Sequence, residues 1–277
     1  MARIIGGIGT SHAPSLARAF DTGKRNDPEW ADLFTQFDVA KQWLTSVRPD
    51  VIIAFYNDHL NQFFFDAYPT FSIGVGDPHP IADEGWGKRP FPDLAGHPAL
   101  AQHITRSLVS DEFDMTICQE TQIDHGVLSP LPFLTDERWS VPVIPVQINV
   151  IQHPLPTPRR CFRLGQAIRR AVQSFADEDL RVAVMGTGGL SHQLSGKRFG
   201  FVNPDWDTTF MSLLASNPDA LIDITHEELM IEGGVESVEV MMWMAMRGAL
   251  ASKVRVMHSY YAAPMLTGYG LLVLEED

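Results

Sequence analysis

Three short apolar runs in the chain each end in a turn-forming segment that carries a histidine. The runs and the histidines that follow them are Ala2–Gly7 with His12, Val51–Phe55 with His59, and Val182–Met185 with His192. Apolar runs of this length are typical of buried β-strands. Ligands of open α/β sheets bind at the carboxyl ends of the strands, so we expect the three histidines to converge on one site. A histidine after one strand alone is more often a loop residue bonded to backbone, and the threefold recurrence favours the shared site.

The segment between the first two runs has the periodicity of a helix. Apolar side chains recur at helical spacing through Trp30–Val47, and Arg48-Pro49-Asp50 ends the helix before the second run. A strand, a helix and a strand in this order form a βαβ unit, which makes the two strands parallel. The chain has 277 residues, of which 45% are hydrophobic, and is long enough for one large core. We predict a single α/β domain over residues 1–277, an open sheet with parallel strands flanked by helices.

The remaining segments predict further helices, short strands and one long loop. Pro142 and Pro145 lack an amide hydrogen, so the β-like run Val141–Val150 is expected at a sheet edge or at bulges. Asp77–Gly96 is rich in proline and glycine and is expected to be a long ordered loop that frames a pocket. The other expected elements are an irregular segment at Pro14–Asn26, a strand pair at Phe63–Phe65 and Phe71–Val75, strands at Phe113–Cys118 and Gly270–Leu274, and helices at Pro98–Leu108, Pro158–Phe175, Asp205–Ala215, Pro218–Asp223 and Gly233–Leu250.

Composition and charge exclude several classes of partner. The net charge of −13 disfavours nucleic acid and anionic membrane, because binding to either needs a basic face. No apolar run approaches the roughly 20 residues that cross a bilayer, and no secretory leader is visible, so we expect a cytoplasmic protein. Cys118 and Cys161 have no partner nearby in the sequence, which indicates buried small side chains and neither a disulfide scaffold nor a thiolate zinc site.

Glu239 is the carboxylate whose surroundings best fit a metal ligand. In the expected helix Gly233–Leu250 its neighbours at helical spacing are Val235, Met242 and Trp243, so it lies on an apolar face. A buried carboxylate must be neutralised, paired or bound to a metal, and the alternative to a metal is a salt bridge to an arginine. Two histidines, one carboxylate and open positions describe the ligand set of non-haem Fe(II) oxygenases. A zinc hydrolase with two histidines and a glutamate competes on the same ligands.

Motifs over essentially the whole chain resemble those of one enzyme family. They include MARIIGGIGTSH at 1–12, YNDH at 56–59, PTFSIG at 69–74, ADEGWG at 82–87, DHG at 124–126 and GTGGLSHQL at 186–194. These motifs, in this order, are similar to those of the class III extradiol (LigB-type) ring-cleaving dioxygenases, such as the protocatechuate 4,5-dioxygenase β-subunit and the gallate and 3-O-methylgallate dioxygenases. The segment Pro264–Gly270 lacks the Ser-Asn-Thr of the protocatechuate enzymes and is more similar to the gallate type.

The resemblance implies a set of roles for named residues. It implies a catalytic domain with Fe(II) held by His12, His59 and Glu239 at the carboxyl ends of the strands. It implies that His192 is the acid–base catalyst and that His125, a fourth histidine after a strand and loop, contacts the substrate. The implied reaction inserts both atoms of O2 into a catecholic aromatic acid (gallate, 3-O-methylgallate or protocatechuate) with ring opening. The implied assembly is a homodimer, in some members with a small separate α-subunit. A zinc-dependent hydrolase and a non-catalytic binding member remain the alternatives.

Overall fold

One mixed sheet forms the centre of the structure, a computed structural model that describes residues 1–177 and 179–276. Its strands are β1 Arg3–Thr10, β2 Val51–Tyr56, β3 Phe71–Gly74, β4 Thr116–Cys118, β5 Val143–Ile148, β6 Arg181–Thr187, β7 Arg255–Ala262 and β8 Tyr269–Glu275. Within the described residues these eight strands lie in the order β4-β3-β5-β2-β6-β1-β8-β7. The central strands β5, β2, β6 and β1 are parallel neighbours. Antiparallel pairing enters towards the edges, between β3 and β5, β1 and β8, and β7 and β8.

Helices cover both faces of the sheet. The α-helices are α1 Pro14–Asp21, α2 Ala31–Val47, α3 Pro98–Ser110, α4 His125–Leu128, α5 Leu131–Leu134, α6 Pro158–Gln173, α7 Pro204–Ser216, α8 His226–Gly233 and α9 Val240–Ala249. Helices α3, α6 and α9 contribute to the core on one face, and α2 and α5 contribute to the core on the other. Strand β2 is therefore buried on both faces, which explains its continuous apolar sequence. The predicted α/β fold with flanking helices is confirmed.

Local sequence signals explain where individual helices begin. Helix α6 starts at Pro158, whose missing amide hydrogen costs nothing in the first turn, and the side chain of Thr157 accepts a hydrogen bond from the amide of Arg160. Helix α8 has a reciprocal cap, in which Thr225 and Glu228 each bond to the backbone of the other. Most of the helix bounds predicted from periodicity agree with the structure to within a few residues.

The expectation that Val141–Val150 lies at an edge or at bulges is wrong, since its pairing with both neighbours is regular. Strand β5 is internal, with β2 on one side and β3 on the other. Its pairing with β3 covers only Val146–Ile148, so Pro145 lies beyond that ladder. Val143 lies two residues earlier, and its amide points the same way as the nitrogen of Pro145. This amide donates to the carbonyl of Ala95, which lies outside the sheet. Pro145 therefore interrupts no strand pairing.

Two further expectations before residue 75 are wrong. The segment Pro14–Asn26 contains α1, which begins with a proline in its first turn, and a short 3₁₀ turn at Lys24–Asn26. Phe63–Phe65 forms no strand, because the carboxylate of Asp58 accepts hydrogen bonds from the amides of three residues that follow it and holds this segment as a turn.

The C-terminal third differs from prediction in its details. The expected helix Gly233–Leu250 is divided into a 3₁₀ turn, Val235–Glu239, and helix α9. Pro218–Asp223 forms only a 3₁₀ turn at Pro218–Ala220, and strand β7 was not anticipated because its edge position leaves much of its sequence exposed. Asp77–Gly96 is a loop without helix or strand, as expected. No helix in the part of the chain that the structure describes is long and apolar enough to cross a membrane.

Candidate active site

The predicted histidines lie at one edge of the sheet because their strands are neighbours. Strand β6 lies between β1 and β2, and the three strands run in the same direction. His12 follows the end of β1, His59 follows β2 and His192 follows β6. This edge, where the carboxyl ends meet, is where α/β sheets bind ligands. Glu239 and His125 lie with the three histidines there.

His12 is buried, and its contact with Thr187 fixes the position of its proton. Nδ1 of His12 lies 3.1 Å from the hydroxyl of Thr187, which donates its own proton to the carbonyl of Gly126 at 2.6 Å. The hydroxyl then accepts from Nδ1, so Nε2 of the neutral ring has a free lone pair. Burial lowers the pKa of His12, which favours the neutral ring. Nε2 lies 3.2 Å from Oε2 of Glu239 and has no hydrogen-bond partner among the described residues.

His59 is oriented by the carboxylate of Asp124. Oδ2 of Asp124 accepts a hydrogen bond from the backbone amide of His59 at 2.7 Å and lies 3.0 Å from Nδ1 of the ring. Because the ionised carboxylate only accepts, Nδ1 donates and Nε2 is the nitrogen left for a ligand. Burial alone would lower the pKa of His59, but the charge of Asp124 raises it to about 10. A carboxylate behind the ring is the usual support of a metal-binding histidine.

Nε2 of His59 has two neighbours on its open side. It lies 3.9 Å from Oε1 of Glu239 and 2.9 Å from the side-chain nitrogen of Asn57. With a pKa of about 10 the ring carries a proton at both nitrogens near neutral pH, so a cation that binds His59 must displace the proton of Nε2.

Glu239 ends the 3₁₀ turn before α9 and faces all three strand-end histidines. Its oxygens lie 3.2, 3.9 and 3.8 Å from the Nε2 atoms of His12, His59 and His192, and Oε2 accepts a hydrogen bond from the amide of Gly189 at 2.6 Å. Burial alone would raise the pKa of Glu239, but the neighbouring histidines, His12 first, hold it well below its usual range when they carry a proton. The pocket therefore contains a buried, ionised carboxylate.

Glycine allows the end of β6 to approach the turn that carries Glu239. A Cβ atom on Gly188 would lie 2.4 Å from the carbonyl oxygen of Glu239, and one on Gly189 would lie 2.5 Å from Cε1 of His192. Any other residue at these two positions would displace the backbone or the imidazole. The glycines of the GTGG segment are thus required by the packing of the site.

His192 lies in a loop whose backbone is fixed on both sides. Its Nδ1 lies 2.9 Å from the carbonyl oxygen of Leu190, which only accepts, so Nε2 of the neutral ring has the free lone pair. Its backbone amide donates to the carbonyl of Gly233. The preceding residue, Ser191, donates from its amide and its hydroxyl to the buried carboxylate of Asp207, at 2.7 and 2.6 Å. A neutral imidazole with a free nitrogen suits a general base.

His125 begins α4 and packs against His59. The two rings are stacked, with centroids 3.8 Å apart and planes inclined by 29°. The carboxylate of Glu84, from the long loop, accepts from the backbone amide of His125 at 3.0 Å and lies 2.5 Å from its Nδ1. The ring is therefore held by a carboxylate on one side and by an imidazole on one face.

Among the described residues, three sets of side chains at this edge could hold a metal ion. Ring nitrogens of His12, His59 and His125 lie within 4.8 Å of one another, and so do the ligand atoms of Glu84, Asp124 and His125. The set predicted from the sequence is His12, His59 and Glu239. A metal lies in the plane of the imidazole that binds it, about 2 Å from the nitrogen. The stacked planes of His59 and His125 do not meet within that distance, so these two rings as placed do not share an ion. His12, inclined by 79° to His59, can share an ion with it.

The buried donors fit a divalent cation. The lone pair of His12 Nε2 faces an ionised carboxylate, and two electron-pair donors 3.2 Å apart repel each other unless a proton or a cation lies between them. Glu239, Asp124 and Glu84 surround the imidazoles with negative charge. Imidazole and carboxylate donors suit transition metals such as iron and zinc.

A profile of the family described as the catalytic LigB subunit of aromatic ring-opening dioxygenase matches residues 6–272. The chain belongs to this family. The resemblance to class III extradiol enzymes inferred from the motifs is confirmed.

Curated relatives of the chain are named dioxygenases. Over 197 residues the chain is 47% identical to a gallate dioxygenase of Pseudomonas putida, a match that covers 70% of this chain and 58% of that enzyme. It is 30% identical to a 2,3-dihydroxyphenylpropionate/2,3-dihydroxicinnamic acid 1,2-dioxygenase of Cupriavidus necator, over 77% of this chain and 80% of that enzyme. An uncharacterized protein of Escherichia coli K12 shares the fold, with a TM-score of 0.56 at 14% identity, over 99% of this chain and all of that one. The chain thus spans less than two thirds of the gallate dioxygenase.

Sequence reasoning identified the histidines of this LigB protein but not the groups that orient them. Thr187, Asp124 and Glu84 each hold one ring nitrogen of a pocket histidine. All three lie inside motifs that the sequence singled out, beside or near a histidine or a glycine turn. Their contacts come from other strands and loops, so nothing in their spacing along the chain revealed the partners.

Proposed function

We propose that this protein is an Fe(II)-dependent extradiol dioxygenase that opens the ring of a catecholic aromatic acid. The observation that carries the proposal is the convergence of His12, His59 and Glu239 at the ligand-binding edge of a LigB-family sheet. The Nδ1 atoms of both imidazoles are directed away from the shared pocket. Two imidazoles and one carboxylate leave further coordination positions open. The whole chain, residues 1–277, is proposed as one catalytic domain.

In this proposal His12, His59 and Glu239 hold the ion through the two Nε2 atoms and the carboxylate. When bound, ferrous iron supplies a centre that chelates two adjacent ring hydroxyls, binds O2 and passes electrons between them. The donor set alone also fits zinc, and iron is favoured because the relatives described above are named dioxygenases.

The remaining histidines are proposed to handle protons and to orient the ring. His192 takes a phenolic proton at Nε2 when the catechol binds, since its Nδ1 proton is committed to the carbonyl of Leu190. The same imidazole, protonated at Nε2, would later return this proton to an oxygen atom of the reacting groups. His125, held at Nδ1 by Glu84, contacts the substrate through Nε2. The low exposure of His192, 5%, keeps bulk water away from this step.

The proposed substrates are gallate, 3-O-methylgallate and protocatechuate. Support for the gallate type comes from the 47% identity to a gallate dioxygenase and from the segment Pro264–Gly270. This segment lies beside His192, because Gly268 exchanges backbone hydrogen bonds with Leu190 and Ser191. We further propose that the chain functions as a homodimer, with or without a small separate subunit, and sedimentation of the purified protein tests this assembly.

The test is an anaerobic reconstitution followed by oxygen measurement. Metal-free protein is titrated with Fe(II) or Zn(II), and O2 uptake and ring-cleavage absorbance are followed with each of the three acids. We expect Fe(II)-dependent uptake of one O2 per substrate, with both atoms of labelled O2 in the product. Zinc-dependent hydrolysis without O2 uptake would instead establish the zinc hydrolase. Absence of turnover with every catechol after ferrous reconstitution would establish a non-catalytic binding protein.

A further inference from the structure

Glu84 connects the long loop of residues 77–96 to the centre of the site. Its side chain is 11% exposed, and its two oxygens receive the backbone amide and Nδ1 of His125. The next residues turn sharply, with φ of +96° at Gly85 and +92° at Gly87, and the amides of both glycines donate to Oδ1 of Asp83. Because of this turn Glu84 points into the protein while Trp86, 72% exposed, points out.

The rest of the loop is anchored independently of Glu84. Arg89 forms an ion pair with Asp21 of α1 and donates to the carbonyl of Leu128 at the end of α4. Backbone bonds also join Ile123 to Pro80 and Ala82 to Ile123. The loop therefore has enough contacts to stay in place without Glu84, which makes the carboxylate available for a local task.

That task concerns the ring of His125. The ionised carboxylate accepts and never donates, so it requires a proton on Nδ1 and leaves Nε2 as the nitrogen that meets a ligand. Two contacts from one carboxylate, to the amide and to the ring, fix the ring orientation more strongly than one contact would. Stacking on His59 fixes the remaining face.

We propose that Glu84 is a positioning residue for substrate binding, acting through His125 and not through the metal. This inference rests on the proposed function. His59 and His125 do not share an ion as placed, and Glu239 lies near Nε2 of His12 and His59. The carboxylate behind His59, Asp124, therefore supports a metal ligand, whereas the carboxylate behind His125 supports a substrate contact. The loop of residues 77–96 thereby becomes part of the substrate site.

The central variant is Glu84→Gln, matched with Asp83→Asn. Both remove one carboxylate charge from the same loop, and the asparagine still offers an oxygen to the amides of Gly85 and Gly87. We expect Glu84→Gln to lower kcat/KM about 10–100-fold, the usual range for a residue that orients a functional histidine, while the Kd for Fe(II) changes less than about threefold. Asp83→Asn is expected to stay within about threefold of wild type in both quantities.

A double-mutant cycle separates positioning from a general effect on the loop. In a His125→Ala background, Glu84→Gln should cause no further loss of kcat/KM, because the residue through which it acts is gone. If the losses of kcat/KM in the two single variants multiply in the double variant, Glu84 acts through the loop. If Glu84→Gln weakens the Kd for Fe(II) tenfold or more, Glu84 supports a metal ligand. Either result overturns the proposal.

A spectroscopic measurement keeps the test independent of turnover. In metal-free protein with ¹⁵N-labelled histidine, the signals of His125 are assigned by their loss in His125→Ala. We expect a proton on Nδ1 with a strongly hydrogen-bonded shift in wild type and in Asp83→Asn, and loss of that shift in Glu84→Gln. If wild type shows this signal but no O2 uptake, the proposed function fails and the Glu84–His125 contact stands. An unchanged signal in Glu84→Gln overturns the positioning role whether or not the protein turns over catechols.

Discussion

Nε2 of His12 and Oε2 of Glu239 lie 3.2 Å apart in a buried pocket, and no hydrogen bond joins them. The ring proton of His12 is on the opposite nitrogen, directed to Thr187. Two buried acceptors therefore face each other, an arrangement that costs free energy unless a positive charge lies between them. This pair is the strongest physical reason to place a cation at this edge of the sheet.

The first prediction concerns the carboxylate of this pair. Glu239→Gln keeps the shape of the side chain and removes its charge, so Fe(II) affinity should fall more than about 100-fold, beyond the 10–100-fold typical of outer partners of a metal ligand. Fe(II) titration of the metal-free protein measures this. Glu236→Gln, in the same 3₁₀ turn, is the matched control and should bind Fe(II) as wild type does. Stoichiometric iron retained in Glu239→Gln, or equally in His12→Ala and His59→Ala, would contradict the ligand assignment.

The second prediction concerns the hydroxyl that orients His12. Thr187→Val keeps the shape and removes the acceptor of the Nδ1 proton, so Fe(II) affinity should fall about 10–100-fold. Thr187→Ser retains the hydroxyl and should stay within about threefold of wild type. Equal affinity in the valine and serine variants would show that the hydroxyl does not support the ligand, and circular dichroism confirms that both variants are folded.

How much of the site the sequence could predict depends on distance along the chain. His12, His59 and His192 were found because each follows an apolar run, and the parallel neighbours β1, β6 and β2 bring them together. Glu239 was selected for its apolar neighbours on an expected helix, yet it lies in a 3₁₀ turn before α9. Glu239 nevertheless lies in the pocket with the histidines, because burial of a carboxylate among apolar residues was the informative signal.

Strand position was harder to predict than strand existence. Val141–Val150 was expected at an edge or at bulges because of Pro142 and Pro145, and the structure places β5 inside the sheet. The proline is tolerated because the pairing with β3 begins only at Val146, and β3 is too short to reach it. The short length of β3, which is distant in the sequence, allows β5 to lie inside the sheet despite its proline. The residues around the prolines do not reveal how long β3 is.

The third prediction tests the packing of α6 against α9. A Cβ atom on Gly165 would lie 2.0 Å from the carbonyl oxygen of Ala245, so Gly165→Ala must separate the two helices. We expect the free energy of unfolding to fall by about 1–3 kcal/mol, the usual cost of overpacking a core, with a drop in Tm of about 2–4 °C for each kcal/mol. Thermal unfolding measures this. Gln166→Ala, at an exposed position of the same helix, should change the free energy of unfolding by less than about 0.5 kcal/mol.

The last prediction separates catalysis from metal binding at His192. Its Nε2 lies 3.8 Å from Oε2 of Glu239, which is close enough to suggest a metal ligand. Its Nδ1 proton, however, is held by a neutral backbone carbonyl, whereas a carboxylate supports His59. His192→Gln should therefore keep the Fe(II) affinity and the anaerobic binding of the catechol. Only kcat should fall, by about 10²–10⁴-fold, which corresponds to roughly 3–5 kcal/mol of activation free energy. Iron content and kcat on this one variant decide the role, since iron-free protein would make His192 a ligand and a loss below about tenfold would make it a loop residue without a part in the reaction.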